Sequence, residues 1–126
     1  MTFAHSLSLV MLGGAVGSGL RFAVVTGAGR LLGSGWPFGT FAVNVLGSFA
    51  MGVLAVWIME RNGAAGLALM TGVLGGFTTF SAFSLDAVRL VEADRVWAAL
   101  GYAGGSVVAS VAALALGMLV ARGGSA

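Results

Sequence analysis

The sequence predicts one all-α membrane domain, residues 1–126, with four transmembrane helices of which the third is broken. Hydrophobic residues make up 59% of the chain and charged residues 8%, and the mean hydropathy of +1.05 excludes an ordinary soluble domain. Three charge-free runs, 38–59, 64–85 and 96–121, each exceed the roughly 18 to 20 residues that cross a bilayer. A fourth run, 7–29, is interrupted only by Arg21. We expect spans at about 3–28, 38–61, 64–91 and 95–121.

The amino terminus is predicted to be the first span and not a cleaved signal. Residues 1–7 contain no Lys or Arg, so the basic region of a secretory signal is missing. Gly13 and Gly17 have the spacing that lets a second helix approach closely, and we interpret them as packing residues. The chain has no cysteine, which excludes disulfides and thiolate-bound metals. A net charge of only +2, without a basic cluster, argues against a nucleic-acid partner.

Positive charges are divided almost evenly between the two sides of the membrane. Four spans place Arg61 and Arg122 on one side and Arg30 and Arg95 on the other, so the positive-inside rule gives little preference. This balance favours insertion in both orientations, and two copies would then form an antiparallel, dual-topology homodimer. The alternative is that one arginine fixes a single orientation.

Asn44 is the one strongly polar residue of the second span. Thr40 lies one turn before it on the same helix face, and Ser48 lies one turn after it. Inside a helix bundle such an amide commonly forms a helix–helix hydrogen bond, which is the interpretation that spacing alone favours. Its NH2 group also offers two donors to an anion, so a role as a ligand stays open.

The third span carries a glycine pair followed by hydroxyl residues, in the stretch Gly-Gly-Phe-Thr-Thr-Phe-Ser-Ala-Phe-Ser-Leu-Asp at 75–86. Glycine weakens a helix, and a helix interrupted at bilayer depth presents backbone groups to a ligand or pore. We predict a break near 75–79. Carbonyls freed there would cost several kcal/mol each in hydrocarbon, and a bound cation would satisfy them.

Aromatic residues follow the predicted break at three-residue intervals. Phe77, Phe80 and Phe83 have Thr79 and Ser81 between them. Aromatic rings at such spacing are most often packing residues, but a purely structural segment would more often carry Leu or Val. The neighbouring hydroxyls therefore favour a pore-lining role for this segment.

The fourth span carries Tyr102, Ser106 and Ser110 at positions i, i+4 and i+8, which form a polar stripe along one helix face. No carboxylate occupies the interior of any span, and Arg21 is the only ionisable residue well inside one. A proton-coupled exporter of cations needs an embedded acid. Amides, hydroxyls and the positive edges of aromatic rings fit a small, hard anion better.

Taken together, these motifs resemble the CrcB or Fluc family of fluoride channels over essentially the whole chain. They are Gly-x-x-x-Arg at 17–21, Gly-Thr-x-x-Val-Asn-x-x-Gly at 39–47, the glycine, hydroxyl and phenylalanine segment of the third span, and the Tyr-Ser-Ser row of the fourth. One departure is Ala82, where many members of the family have Thr.

The resemblance implies a fluoride-selective passive channel, not an enzyme, that lets cytoplasmic fluoride leave the cell and so confers fluoride resistance. It implies a dual-topology homodimer in the bacterial inner membrane with two pores along the subunit interface. The ring edges of Phe80 and Phe83 would line the fluoride positions, and Asn44 would donate to fluoride. The polar track beside the rings would consist of Tyr102, Ser106 and Ser110.

The resemblance also implies a sodium ion at the dimer centre, held by the backbone carbonyls of Gly75 and Thr78. We further place Thr79 and Ser81 along the pore. Arg21 matches a basic residue of the family's first span, and we expect it to hold a helix end or a loop carbonyl.

Two other functions are compatible with four short spans. A small multidrug-type exporter also pairs antiparallel, but it predicts a carboxylate in the first span, and none is present. A non-conducting assembly subunit would use the glycines for packing alone, and it predicts no ion flux from the purified protein.

Overall fold

The computed structural model describes residues 1–58 and 61–125, and within them the secondary structure is helical. Helix α1 spans Phe3–Leu32 and α2 spans Phe38–Trp57. The third span has two parts: α3, which comprises a π-helical segment, Gly66–Leu74, and one α-helical turn, Gly75–Phe77, and then α4, Ser81–Glu92. Helix α5 spans Val96–Ser125.

The described residues contain four helical segments long and apolar enough to cross a membrane: Phe3–Leu32, Phe38–Trp57, Gly66–Glu92 and Val96–Gly123. The first extends beyond the predicted end at residue 28. The second ends at Trp57, before the predicted end at 61, and residues 59 and 60 lie outside the described part of the chain. Large apolar side chains cover the outside of the bundle; Phe22, for example, is 73% exposed. Such a surface suits contact with lipid.

Close backbone contact holds the helices in pairs, α2 against α5 and α1 against α3. A Cβ atom at Gly52 would overlap the carbonyl of Leu114, and one at Gly117 would overlap the carbonyl of Phe49, so only glycine permits this approach of α2 to α5. Gly13 and Gly17 are buried where α1 meets α3. Small residues therefore replace the large apolar core of a soluble bundle.

The third span is broken, as predicted, but the glycine pair does not form the break. The helix continues through Gly75 and Gly76 to Phe77, and the chain leaves the helix at residues 78–80, where Thr78 has an extended backbone (φ −88°, ψ 160°). Gly76 has a packing role, because a Cβ atom there would overlap the carbonyl of Gly14 in α1. The break is instead stabilised by hydrogen bonds between Asn44 and the backbone of Thr79, after Phe77.

The π-helix of Gly66–Leu74 has no counterpart in the sequence prediction. A π-helix hydrogen-bonds to the fifth residue along and is rare over more than a single turn. It leads directly into the turn before the break. Most of the half-helix before the break therefore departs from regular α-helical geometry.

Candidate functional site

A cavity of about 390 Å³ lies where the broken third span meets α2 and α5. Its walls contain one amide, five hydroxyl and two phenyl side chains, and they include residues of the break. The lining residues are Asn44, Ser48, Gly75, Thr78, Thr79, Phe80, Phe83, Ser106, Val107 and Ser110. None of these ten residues carries a charge. The cavity is thus a neutral site of hydrogen-bonding groups and aromatic rings.

The Asn44 side chain holds the break by two hydrogen bonds to one residue. Its Nδ2 donates to the Thr79 carbonyl (3.0 Å), and the Thr79 N–H donates to its Oδ1 (2.8 Å). This is the interhelical hydrogen bond that spacing favoured. Since an amide NH2 has two protons, one N–H remains to donate to a ligand in the cavity.

Arg21 also contacts the broken span, from α1. Its Nε donates to the carbonyl of Gly76 (3.1 Å), in the last turn before the break. A carbonyl at the end of a helix lacks its usual donor, and the guanidinium supplies one. Arg21 does not line the cavity.

The carbonyls of Gly75 and Thr78 have lost the donors that a continuous helix would give them. Those donors would be the N–H groups of Thr79 and Ala82. The first donates to Asn44 Oδ1, and the second donates to Thr79 Oγ1 at 3.2 Å. Both carbonyl-bearing residues line the cavity. Their oxygens fit an alkali cation, because carbonyls of unwound helices are ligands that such ions accept.

No group of three or more His, Cys, Asp or Glu side chains that could hold a metal occurs among residues 1–58 and 61–125. In that part of the chain, a cation at the break would therefore depend on backbone oxygen and not on acidic side chains. The donor set fits a singly charged ion better than a divalent one, which prefers carboxylates.

Aromatic rings continue from the cavity into the bundle. The centroids of Phe80 and Phe83 are 5.5 Å apart, and those of Phe83 and Tyr102 are 5.1 Å apart, both at tilted angles. Tyr102 is fully buried, whereas Phe80 is 76% exposed in the single chain. The ring series therefore runs from the bundle core to the surface of the chain.

The hydroxyls of Ser106 and Ser110 are buried, and neither has a hydrogen-bond partner in the described structure. Serine in a membrane helix usually bonds back to its own backbone, and a buried polar group left unpaired costs about 1–3 kcal/mol. Both residues line the cavity. Two unsatisfied donors at one wall point to a ligand that accepts hydrogen bonds.

Tyr102 and Ser81 stand apart from the cavity lining. The Tyr102 hydroxyl donates to Oδ2 of Asp86 (3.3 Å), one turn of α5 before Ser106. Ser81 is exposed, and its oxygen lies 3.5 Å from Thr79 Oγ1. Asp86 is not among the site residues predicted from the sequence, although it ends the Phe-Ser-Leu-Asp segment and was in that sense signalled.

Comparison with known proteins gives a consistent result over nearly the whole chain. A family model described as "CrcB-like protein, Camphor Resistance (CrcB)" matches residues 8–118. The fluoride-specific ion channel FluC of Caulobacter vibrioides is 48% identical over 122 residues, which cover 94% of this chain and 96% of the relative. The FluC proteins of Chelativorans sp. and Cereibacter sphaeroides are 50% and 51% identical over 121 and 118 residues; each match covers 94% of this chain, with 97% and 95% of the relatives.

Proposed function

Since the chain belongs to the CrcB-like family, we propose that it is a fluoride-selective passive channel that exports cytoplasmic fluoride and thereby confers fluoride resistance. It is a multi-pass integral protein of the bacterial inner membrane and not an enzyme. The observation that carries the proposal is the neutral cavity in which the unpaired hydroxyls of Ser106 and Ser110 lie beside the rings of Phe80 and Phe83.

Fluoride fits this cavity because the donors are neutral and closely grouped. A small, hard anion is the strongest hydrogen-bond acceptor among the halides, and it would accept from Asn44, Ser106 and Ser110 in place of water. The edges of the rings carry the positive end of the aromatic quadrupole and add weaker contacts. A larger halide would gain less from each donor while losing its hydration as well, so the site selects by size and hydrogen bonding.

The working unit is an antiparallel, dual-topology homodimer. The support for it is the exposure of Phe80, which is 76% accessible on one subunit although it lines the cavity. A second copy packed over this surface would close the open side of the cavity. Its own phenylalanine rings would then line the fluoride path as well. A two-fold axis in the membrane plane gives each dimer two such paths.

A sodium ion at the dimer centre is part of the proposal. The carbonyls of Gly75 and Thr78, released from helical pairing, would hold it together with the same atoms of the second copy. When bound, the ion supplies positive charge that neutralises these oxygens and joins the two broken helices. Arg21 and Asn44 hold the neighbouring backbone in place through their hydrogen bonds to Gly76 and Thr79.

Fluoride flux from liposomes tests the function. The purified protein is reconstituted in vesicles loaded with potassium fluoride, and efflux is followed with a fluoride electrode after valinomycin is added. We expect rapid fluoride release and, in a parallel chloride run, release close to that of protein-free vesicles. Equal release of both halides would contradict selectivity, and no release would favour the non-conducting subunit.

Replacing sodium with N-methyl-D-glucamine during purification is expected to lower the thermal stability of the protein. A ligand that binds only the folded dimer stabilises it in proportion to the logarithm of its concentration. Melting in detergent is measured over a range of sodium chloride concentrations, with N-methyl-D-glucamine chloride holding the ionic strength constant. A melting temperature that does not change with sodium concentration would contradict the proposed sodium site. It would not affect the assignment of the pore residues.

A further inference from the structure

We propose that Trp36, in the loop between α1 and α2, is a positioning residue for Tyr102 and thereby fixes the first member of the hydroxyl row. The inference rests on the proposed channel function, since the row matters only if an ion passes along it. Trp36 is not a member of any motif singled out in the sequence. Its contacts in the fold give it this role.

The rings of Trp36 and Tyr102 are nearly perpendicular (84°), with their centroids 5.2 Å apart. This edge-to-face arrangement is a favoured geometry of aromatic pairs. Tyr102 also contacts Phe83 (5.1 Å), which lines the ion cavity. Tyr102 therefore contacts one ring from the loop and one ring from the cavity wall.

Tyr102 also lies between two cavities. A second cavity of about 390 Å³ borders the α1–α2 loop, and its walls include Trp36, Thr40 and Asp86, with Arg89 and Arg95. The Tyr102 hydroxyl donates to Asp86, on the wall of this second cavity. The next turn of α5 carries Ser106, on the wall of the first. An ion that follows the hydroxyl row from the first cavity toward the second must pass Tyr102.

The loop that carries Trp36 is itself held in place. The Arg95 guanidinium donates to the carbonyl of Gly35, beside the tryptophan. The Trp36 ring also packs against Phe38 (5.0 Å) and Phe41 (5.3 Å). These contacts hold the indole beside the Tyr102 ring.

Without the indole, Tyr102 would lose one of its two aromatic partners and would keep Phe83, the apolar cluster with Leu90 and Ala99, and a long hydrogen bond to Asp86. An O–H···O distance of 3.3 Å exceeds the usual range, so that bond holds the ring weakly. Tyr102 would then spend part of its time turned away from the row. The strength of a typical aromatic pair corresponds to a change of about two- to tenfold in this population.

Fluoride efflux from variants tests this role. Trp36→Leu and Trp36→Met both remove the ring, and Trp36→Phe retains an edge that can contact Tyr102. We expect flux to fall about two- to tenfold in the first two and to stay close to wild type in the third. The control is Trp97→Leu, at a tryptophan that is 84% exposed on α5. For every variant, flux is measured only on the protein fraction that elutes from size-exclusion chromatography at the wild-type position.

A double variant separates positioning from general damage. If Trp36 acts through Tyr102, then Trp36→Leu should reduce flux no further in a Tyr102→Ile background. Three results would each overturn the inference. The first is that the flux losses of Trp36→Leu and Tyr102→Ile add up in the double variant. The others are that Trp36→Phe loses as much flux as Trp36→Leu, or that both Trp36→Leu and Trp36→Met conduct like the wild type. A wild-type protein that conducts no fluoride would instead overturn the proposed function.

Discussion

Fluoride flux is expected to fall about a thousandfold when Asn44 is replaced with aspartate. The amide lines the cavity and holds the broken span through the Thr79 backbone. Aspartate has nearly the same shape, so the change tests charge and hydrogen bonding more than size. Flux is measured in the liposome assay described above.

Two effects of the substitution act in the same direction. A carboxylate has no proton to donate, so one of its oxygens would face the Thr79 carbonyl that now accepts from Nδ2 at 3.0 Å. It would also place a negative charge in a cavity of neutral residues. For two charges about 4 Å apart at an effective dielectric constant of about 20, repulsion is about 4 kcal/mol, or about a thousandfold in rate.

Asn62→Asp is the matched control, because it makes the same chemical change at an exposed turn outside the cavity. We expect this variant to conduct like the wild type. If Asn44→Asp elutes as the wild-type species and conducts at the same rate as Asn62→Asp, Asn44 does not face the ion. In that case its only role is the hydrogen-bonded support of the break.

The four spans could be predicted because membrane-crossing helices have a strong local signature. The charge-free runs indicated the number of spans, and the segment around Gly75 indicated which span is broken. The position of the break at 78–80 could not be read locally, since it depends on Asn44, 35 positions earlier in the chain. The hydrogen bond from Arg21 to Gly76 spans 55 positions. Such contacts become visible only when the helices are packed.

Spacing and the family resemblance singled out residues that the fold brings to one cavity, and their roles toward fluoride stay predictions. Asn44, Thr79, Phe80, Phe83, Ser106 and Ser110 line one cavity, together with Gly75 and Thr78. Tyr102 is one turn away, and Ser81 is exposed. The contacts of Trp36 and Asp86 with Tyr102 were not visible in the sequence, because they join a loop and two helices that are distant in sequence. The dimer and the sodium ion stay predictions.

Replacing Phe80 or Phe83 with isoleucine is expected to reduce fluoride flux about tenfold or more while the protein still assembles. Isoleucine keeps the site apolar but has no ring edge to present a positive charge distribution to the anion. A tenfold loss corresponds to about 1.4 kcal/mol of added barrier. We expect Phe3→Ile, at an exposed phenylalanine near the amino terminus, to leave flux unchanged.

The Phe80→Ile and Phe83→Ile variants should differ in their effect on the stability of the protein. Phe83 contacts the buried Tyr102 ring, so Phe83→Ile should lower the melting temperature as well as flux. Phe80 is 76% exposed in the single chain, so its loss should leave the core of the chain intact. A drop in flux without a drop in monomer stability would therefore assign the Phe80 ring to conduction. Wild-type flux in Phe80→Ile would mean that conduction does not need the Phe80 ring edge and that the side chain only fills exposed surface.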